Sequence, residues 1–274
     1  MSSTITAADI NKLRQATGAG MLDCRKALTE SNGDFEAAID WLRKQGQKVA
    51  AKRSDREAKE GVILAKTSAD NKTGFIVCIS CETDFVSKNA DFVAFAQSIA
   101  DAAVANNVKT AEELNAVMIN GAKVSDMIND KLAAIGEKIE ISKFERVEAP
   151  YVASYIHGAN RMGVLVGLTL EAAEAGKDVA MQIAAMNPLA VDENSIPADV
   201  IEREKNIAIE VVKAEGKPAE MAEKIAMGKL NKFFKDNTLM AQAFVKDNNK
   251  SVAEYLKSID ANLKVTEFKR VALG

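Results

Sequence analysis

Apolar residues recur along the chain with helical spacing in residues 5–43, and glycines interrupt that spacing at Gly18–Gly20 and at Asn32-Gly33. The pattern predicts three short helices joined by tight turns. Thr6 and Asp9 have the spacing of a capping box at the start of the first helix. The positions that recur on the second helix are Met21, Leu22, Cys24, Arg25 and Leu28. We assign residues 1–44 to this three-helix domain, whose glycine-rich first turn resembles the ubiquitin-associated fold.

Residues 45–60 are rich in charge, and we predict that they form a helical linker. Lys44, Lys48, Lys52 and Arg56 recur four residues apart and would share one helix face. No aromatic residue lies among them, so we interpret this face as solvated rather than as a docking surface.

From Gly61 onward a longer pattern occurs twice, with short apolar runs typical of strands and then helical runs. The predicted strands cover 61–68, 74–82 and 138–147 in the first half, then 151–157, 163–170 and 263–271 in the second. Both halves are predicted as β-β-α-α-β. The fold class is therefore α+β, with a core of two related antiparallel subdomains: 61–148, and 149–190 together with 238–274.

The second half carries an insertion, residues 191–237, with two amphipathic helical runs. Pro197 suits the first turn of one helix, and Glu215-Gly216-Lys217-Pro218 is a stop signal before the next. We predict a helical hairpin, or coiled coil, that projects from the core. It could pair between two chains as a homodimer or remain exposed to solvent.

Composition narrows the class of protein. The chain has 274 residues, a net charge of −3 and an isoelectric point near 5.5, which argues against direct binding to nucleic acid. No stretch reaches the roughly 20 continuous apolar residues of a membrane span. Nothing in the first residues resembles a secretory signal, and three cysteines do not make a disulfide framework. We expect a cytoplasmic protein that does not bind membranes.

The motif Cys78-Ile79-Ser80-Cys81 raises the question of a redox or metal site. Both cysteines fall in a predicted strand, where residues three apart point to opposite faces, so they would not bind one ion together. His157 stands alone beside a turn, where a local hydrogen bond is the simpler interpretation. No nucleophile motif or phosphate-binding glycine loop accompanies it. We therefore expect no catalytic residues, no metal and no cofactor: the protein is not predicted to be an enzyme.

The segment Thr83-Asp84-Phe85-Val86 lies between a predicted strand and a predicted helix. Thr83 or Asp84 could cap that helix, with Phe85 or Val86 packing back onto it as a hydrophobic staple. Alternatively, Phe85 could be an exposed anchor that enters another protein, with Asp84 placed to perturb a charged site. The residues alone leave both interpretations open.

Four segments taken together resemble one protein family. They are Leu13–Leu28, Cys81–Val86, Ile135–Glu137, and Tyr155–Gly158 followed by Met162–Val166. In this order the chain is similar, from about Ile5 to Phe268, to bacterial translation elongation factor Ts. The resemblance implies the three-helix domain, the two-subdomain core and the inserted hairpin. It also implies nucleotide exchange on elongation factor Tu, the GTPase that delivers aminoacyl-tRNA.

The resemblance also implies roles for particular residues. Thr83, Asp84, Phe85 and Val86 match the family's intruding tip, whose Phe enters between helices of the partner near its magnesium and GDP. Separate partner contacts are implied for His157, for Ile135 with Gly136, and for Arg25. The family commonly continues into a C-terminal helical module, which is not found after Phe268–Gly274 here, so a docking contact is expected to be missing. The alternative function is a ubiquitin-associated-like module that binds a ubiquitin-like partner or a helical peptide, without exchange activity.

Overall fold

The computed structural model describes residues 5–53, 55–216 and 219–274. The N-terminal module consists of α1 (Ala7–Thr17), α2 (Met21–Glu30) and α3 (Phe35–Arg53). The predicted capping box is confirmed, because Thr6 Oγ1 accepts from the Asp9 backbone N–H and the Asp9 carboxylate accepts from that of Thr6. The buried side chains of the module include Leu13, Cys24 and Leu28.

The segment that follows the module is helical as far as Arg53, and the described residues of its predicted basic face are exposed. Helix α3 continues past residue 44 to Arg53, so the helical part of the prediction holds that far. Arg56 lies beyond the helix, and its guanidinium is 3.0 Å from the carboxylate of Glu82. Arg56 therefore does not share the helix face with the lysines, but its side chain is 53% exposed, and Lys44 and Lys48 are exposed as the solvated interpretation predicts. The side chain of Lys52 lies outside the described residues.

The first half of the core starts with an antiparallel strand pair and ends with a strand that returns to it. Its elements are β1 (Glu60–Thr67), β2 (Thr73–Cys81), α4 (Asp84–Ser87), α5 (Ala90–Ala105), α6 (Ala111–Ala116), β3 (Met118–Ile119), β4 (Ala122–Lys123), α7 (Val124–Ile135) and β5 (Glu140–Glu148). Strand β2 lies between β1 and β5 and is antiparallel to both.

The second half repeats this plan around the inserted hairpin. Its elements are β6 (Tyr151–His157), β7 (Met162–Leu168), α8 (Ala173–Met186), a 3-10 turn (Glu193–Ser195), α9 (Ala198–Ala214), α10 (Ala219–Asn237), β8 (Ala243–Phe244), β9 (Asp247–Ser251), α11 (Val252–Ile259) and β10 (Val265–Ala272). Strand β7 lies between β6 and β10, as β2 lies between β1 and β5. The α+β prediction with two related antiparallel halves is confirmed.

Each half also contains a short strand pair that the β-β-α-α-β prediction omitted. Strands β3 and β4 precede α7, and β8 and β9 precede α11. Strands of two residues, such as β3 and β4, are too short to show alternation of apolar and polar side chains. The two pairs occupy the same place in both halves, which extends the internal repeat.

The two sheets pack face to face, with helices on their outer faces. Alternate residues of β2 point to α5 and α7 or to the second sheet, so β2 is buried on both sides. A Cβ atom at Gly74 would lie 2.6 Å from Val152 Cγ1 and 2.8 Å from Leu165 Cδ2. The missing side chain therefore lets the sheets approach each other closely.

The two helices of the inserted hairpin pack against each other through a narrower apolar face than the spacing of their apolar residues predicts. Ala208 and Val212 of α9 are buried, together with Ala226 and Leu230 of α10. Ile207 and Val211, which also recur at helical spacing in the first apolar run of the insertion, are 46% and 42% exposed. Lys217 and Pro218 of the predicted stop signal lie outside the described residues. No described helix has both the length and the apolar character needed to cross a bilayer.

Candidate functional site

The segment after β2 forms an exposed tip of one helical turn, α4, that carries Phe85. The Phe85 side chain is 85% exposed, whereas Val86 packs against the core between the first sheet and its helices. Ser87 is buried, and its hydroxyl donates to the Asp84 carbonyl. The neighbours of Phe85 therefore anchor the turn, while the ring itself points to solvent.

The capping interpretation of this segment is not supported. Thr83 precedes α4 in an extended conformation, but its side chain makes no capping hydrogen bond. Helix α5 is capped instead by Asn89, whose side-chain oxygen accepts from the N–H groups of Asp91 and Phe92. The Phe85 ring is too exposed to be a staple, whereas Val86, the other candidate, does pack against the buried cluster that contains Phe92 of α5.

Asp84 lies in the first and only turn of α4, next to Phe85. Lys88 Nζ is 2.7 Å from Asp84 Oδ2, one turn further along. The hydrogen bond and the charge of Lys88 lower the pKa of the Asp84 carboxyl. Asp84 is therefore ionised at neutral pH and lies within one residue of the exposed ring.

Ile135 and Gly136 end helix α7 next to this tip. Gly136 has φ +81°, and its N–H donates to the Leu132 carbonyl, which closes the last turn in the left-handed conformation that favours glycine. Ile135 is 37% exposed. The helix thus ends with an apolar side chain that stays accessible.

Two acidic residues join the tip to the end of α7. Glu137 Oε2 accepts hydrogen bonds from the backbone N–H groups of Glu82 (3.1 Å) and Thr83 (3.0 Å). In return, Glu82 Oε1 accepts from the backbone N–H of Lys138 at 2.6 Å. Glu82 and Glu137 have no predicted role, although each lies beside a residue of the predicted site.

An open groove of about 630 Å³ runs between the tip, the end of α7 and the N-terminal module. Phe85, Val86 and Ile135 line it together with Thr17 and Gly18, from the end of α1. The side of the groove formed by α5 and α7 includes Phe92, Phe95, Lys131 and Ala134. Three of the sequence-selected residues therefore meet on one partly apolar surface.

His157 lies on the other sheet but at the same end of the core. It ends β6, and the following turn contacts β1, because the Asn160 carbonyl accepts from the Ile63 N–H at 2.8 Å. The first residue of β1, Glu60, is paired with Cys81 of β2, just before the tip. The His157 ring is exposed, and its Nδ1 lies 3.0 Å from the Tyr155 hydroxyl. The local hydrogen bond that the sequence indicated is therefore present.

Arg25 is placed apart from this groove, on an exposed face of α2. Its carbonyl accepts from the Thr29 hydroxyl within the helix. Nearby, Met21 is 45% exposed and Leu22 is 81% exposed, although they recur with the buried Cys24 and Leu28. Helical spacing lets these residues share a face, but neither Met21 nor Leu22 packs against the buried cluster of the module.

The C-x-x-C motif does not form a thiol pair. Cys78 packs between the two sheets, and Cys81 packs on the opposite face against the helices, as strand alternation predicts. Burial raises the pKa of Cys81 to about 12, and the carboxylates of Glu137 and Glu60 add to this effect. Within the described residues, no group of three or more His, Cys, Asp or Glu side chains could hold a metal ion.

Comparison with known proteins identifies the family of the chain. A family model described as "Elongation factor TS" matches residues 82–274. The chain is 51% identical to elongation factor Ts of Christiangramia forsetii over 273 residues, or 98% of this chain and 99% of that relative. It is 52% identical to elongation factor Ts of Flavobacterium psychrophilum over 275 residues, covering 99% and 100%. For Methylococcus capsulatus the identity is 46% over 274 residues, covering 99% and 92%. The chain therefore belongs to the elongation factor Ts family and is a translation elongation factor.

Proposed function

We propose that the protein is a guanine nucleotide exchange factor for elongation factor Tu. It binds the GDP-bound GTPase, displaces magnesium and GDP, and stabilises the nucleotide-free state so that GTP can bind. The observation that carries the proposal is the 85% exposed ring of Phe85 on a one-turn helix whose next two side chains, Val86 and Ser87, pack inward. A large aromatic side chain held in solvent by a fixed backbone is typical of an anchor that is buried in a partner.

Linkage explains how such an anchor would release a nucleotide. If the protein binds the empty GTPase more tightly than the GDP-bound GTPase, it weakens GDP binding by the same factor. The free energy gained when Phe85 enters the partner then appears as faster release of GDP. The protein itself forms no covalent bond with the nucleotide, so the proposal does not make it an enzyme.

The energies require a surface larger than the tip. Moving a GTPase from mostly occupied to mostly empty takes about 5 kcal/mol of differential binding. Full burial of one Phe side chain contributes roughly 1.5–3 kcal/mol. Ile135 and Gly136 at the end of α7 are proposed to extend the contact around the groove, with Val86 beneath the ring. His157, at the same end of the core, and Arg25, on the N-terminal module, are proposed to contact the GTPase elsewhere.

Asp84 is proposed to act on the magnesium site. Because its pKa is lowered by Lys88, the carboxylate carries its charge at neutral pH. A carboxylate brought close to the ligands of a divalent cation alters the electrostatic balance that holds the cation. Thr83 is proposed to hold the backbone of the tip rather than to contact the nucleotide.

The remaining expectations belong to the same proposal. We propose that the protein acts in the cytoplasm, where elongation takes place, and binds the GTPase rather than nucleic acid; the net charge of −3 supports this. Exposed Ile207 and Val211 on the hairpin are compatible with pairing between two chains. A homodimer through the hairpin stays a prediction.

The direct test is the release of a fluorescent GDP analogue from purified elongation factor Tu at fixed magnesium concentration. The full chain is expected to accelerate release, Phe85→Ala is expected to remove most of the acceleration, and Ile259→Ala should retain it. Ile259 is a matched control because it is 50% exposed on α11, in the other half of the core. Equal acceleration by the wild type and Phe85→Ala would reject the tip as the active element.

A second candidate function is favoured by the exposed pair Met21 and Leu22. Contiguous apolar side chains on a three-helix module fit the docking of a helical peptide or a ubiquitin-like partner. Leu22→Ser would then abolish binding to that partner while GDP release stays slow with every variant. Rapid GDP release by the wild-type chain would leave this function without support.

A further inference from the structure

The tip is held in place by Glu137, a residue that is not among the proposed partner contacts. Both oxygens of the Glu137 carboxylate are used: Oε2 accepts from the N–H groups of Glu82 and Thr83, and Oε1 accepts from Thr83 Oγ1 at 2.6 Å. The carboxylate of Glu82 reaches back to the N–H of Lys138. Two segments 55 residues apart are therefore joined by reciprocal hydrogen bonds between side chains and backbone.

These bonds satisfy backbone donors that no strand or helix satisfies. The β1–β2 pairing ends with Cys81 opposite Glu60, and the β2–β5 pairing ends with Ser80 opposite Glu140. The N–H groups of Glu82 and Thr83 come directly after the last paired residues, and a partly buried N–H needs an acceptor. A carboxylate supplies hydrogen bonds stronger than those between neutral groups.

Two arginines, one at the end of α3 and one just beyond it, balance the charge of Glu82. Glu82 lies 3.0 Å from the Arg56 guanidinium and 3.6 Å from that of Arg53, the last residue of α3. The Glu82 carboxyl pKa is lowered first by its bond to the Lys138 N–H and then by these arginines. The connection from α3 to β1 thus reaches the carboxylate beneath the tip.

We propose that Glu137 is a positioning residue for Phe85, acting through the backbone of Glu82 and Thr83. The proposal rests on the exchange function described above. A helical turn as short as α4 has little stability of its own, so its orientation depends on what holds its first residues. The Phe85 ring itself is too exposed to fix that orientation. A preorganised tip loses less conformational entropy when it enters the GTPase.

The variants separate geometry from charge. Glu137→Ala removes every acceptor, and we expect it to weaken binding to nucleotide-free elongation factor Tu by roughly tenfold or more. Glu137→Gln keeps one oxygen within reach of both N–H groups and should stay within about threefold of the wild type. Glu140→Ala is the matched control, because Glu140 is 45% exposed, pairs with Lys138 Nζ and makes no bond to the tip. It should bind as the wild type does.

A double-mutant cycle tests whether Glu137 acts through the ring. The dissociation constant for nucleotide-free elongation factor Tu is measured for the wild type, Phe85→Ala, Glu137→Ala and the double variant. If Glu137 positions Phe85, Glu137→Ala should weaken binding less than about twofold in the Phe85→Ala background. Equal weakening in both backgrounds would overturn the proposal, because Glu137 would then act independently of Phe85.

Amide hydrogen exchange of the free protein gives a readout that needs no partner. Glu137→Ala should speed exchange at Glu82 and Thr83 and leave Val166, in the other sheet, unchanged. Uniformly faster amide exchange in Glu137→Ala would mean general destabilisation. The binding of Glu137→Gln would then decide, because a Glu137→Gln variant that binds as weakly as Glu137→Ala overturns the positioning role. The failure of this proposal is distinguishable from failure of the proposed function. If the wild type does not accelerate GDP release, the nucleotide-exchange function itself is rejected. If the wild type does accelerate it and Glu137→Ala binds elongation factor Tu as tightly as the wild type, only the positioning role is rejected.

Discussion

Arg161 Nη1 lies 2.9 Å from Glu60 Oε2 and joins the turn after His157 to the first residue of β1. Glu60 is in turn paired with Cys81, the last residue of β2 before the tip. Two side chains from different subdomains, His157 and Phe85, are therefore carried at the same end of one packed core. A partner that binds both residues meets a surface whose spacing is set by the packing of two sheets rather than by a flexible loop.

Phe85→Ala should separate activity from stability. The side chain is 85% exposed, so its removal is expected to change the free energy of unfolding by less than about 0.5 kcal/mol while reducing nucleotide exchange strongly. Urea unfolding followed by circular dichroism measures the first quantity, and release of fluorescent GDP measures the second.

Phe92→Ala is the buried counterpart, since Phe92 is 1% exposed in the core beneath the groove. It is expected to cost about 3–5 kcal/mol of stability. A similar loss for Phe85→Ala would show that the Phe85 ring is packed in solution, against its exposed position.

Gly74→Ala should destabilise the contact between the sheets. The added Cβ would lie 2.6 Å from Val152 and 2.8 Å from Leu165, both buried, so the sheets would have to separate. We expect a loss of about 1–3 kcal/mol, measured by urea unfolding.

Gly228→Ala is the matched control on α10, where an added Cβ would meet nothing within 4 Å. There the same substitution should stabilise the chain by up to about 1 kcal/mol, because alanine favours a helix. A neutral result at Gly74 would contradict the close approach of the two sheets.

The cysteines should be unreactive in the folded protein. Burial raises the pKa of both Cys78 and Cys81, the latter to about 12, so at pH 8 neither carries the thiolate that attacks alkylating reagents. Reaction with iodoacetamide, followed by mass spectrometry, should require unfolding in urea. Rapid labelling of either cysteine without urea would contradict the buried positions and would restore interest in the C-x-x-C motif.

Tyr255 should limit stability at alkaline pH. Its hydroxyl donates to Asp178 Oδ2 at 2.8 Å, and burial together with this carboxylate raises the pKa of the phenol. Above pH about 10 the unfolded chain releases this proton while the folded chain retains it, so stability falls as pH rises. Chemical unfolding measured between pH 8 and pH 11 should show this decline.

Tyr255→Phe removes the titrating group and should flatten the alkaline decline, although it also removes one hydrogen bond and lowers stability at pH 8 by about 1 kcal/mol. Tyr155→Phe is the control, because its hydroxyl contacts His157 at the surface instead of a buried carboxylate. An unchanged pH slope in Tyr255→Phe would contradict the raised pKa.

Local features of the sequence accounted for much of the fold. Helix caps such as Thr6 with Asp9, and the opposite orientation of Cys78 and Cys81, follow from bonds or periods within a few residues. The repeated order of strands and helices could be predicted because each element has its own period of apolar residues. The predicted helical linker is not a separate element as far as Arg53: α3 runs through the boundary placed at residue 44, because its charged residues and alanines favour a helix.

The choice between cap and anchor for Thr83–Val86 depended on contacts that no local pattern contains. Periodicity shows which residues share a face of one element, but not whether a neighbouring element covers that face. Val86 is covered by the core and Phe85 is not, and Leu22 is exposed for the same reason. The sequence by itself determined the longer elements, their order and the chemistry available at the tip. Only the tertiary structure decided that Glu137, 55 residues beyond Glu82, holds that tip, because hydrogen bonds between distant segments exist only after the sheets and helices have packed.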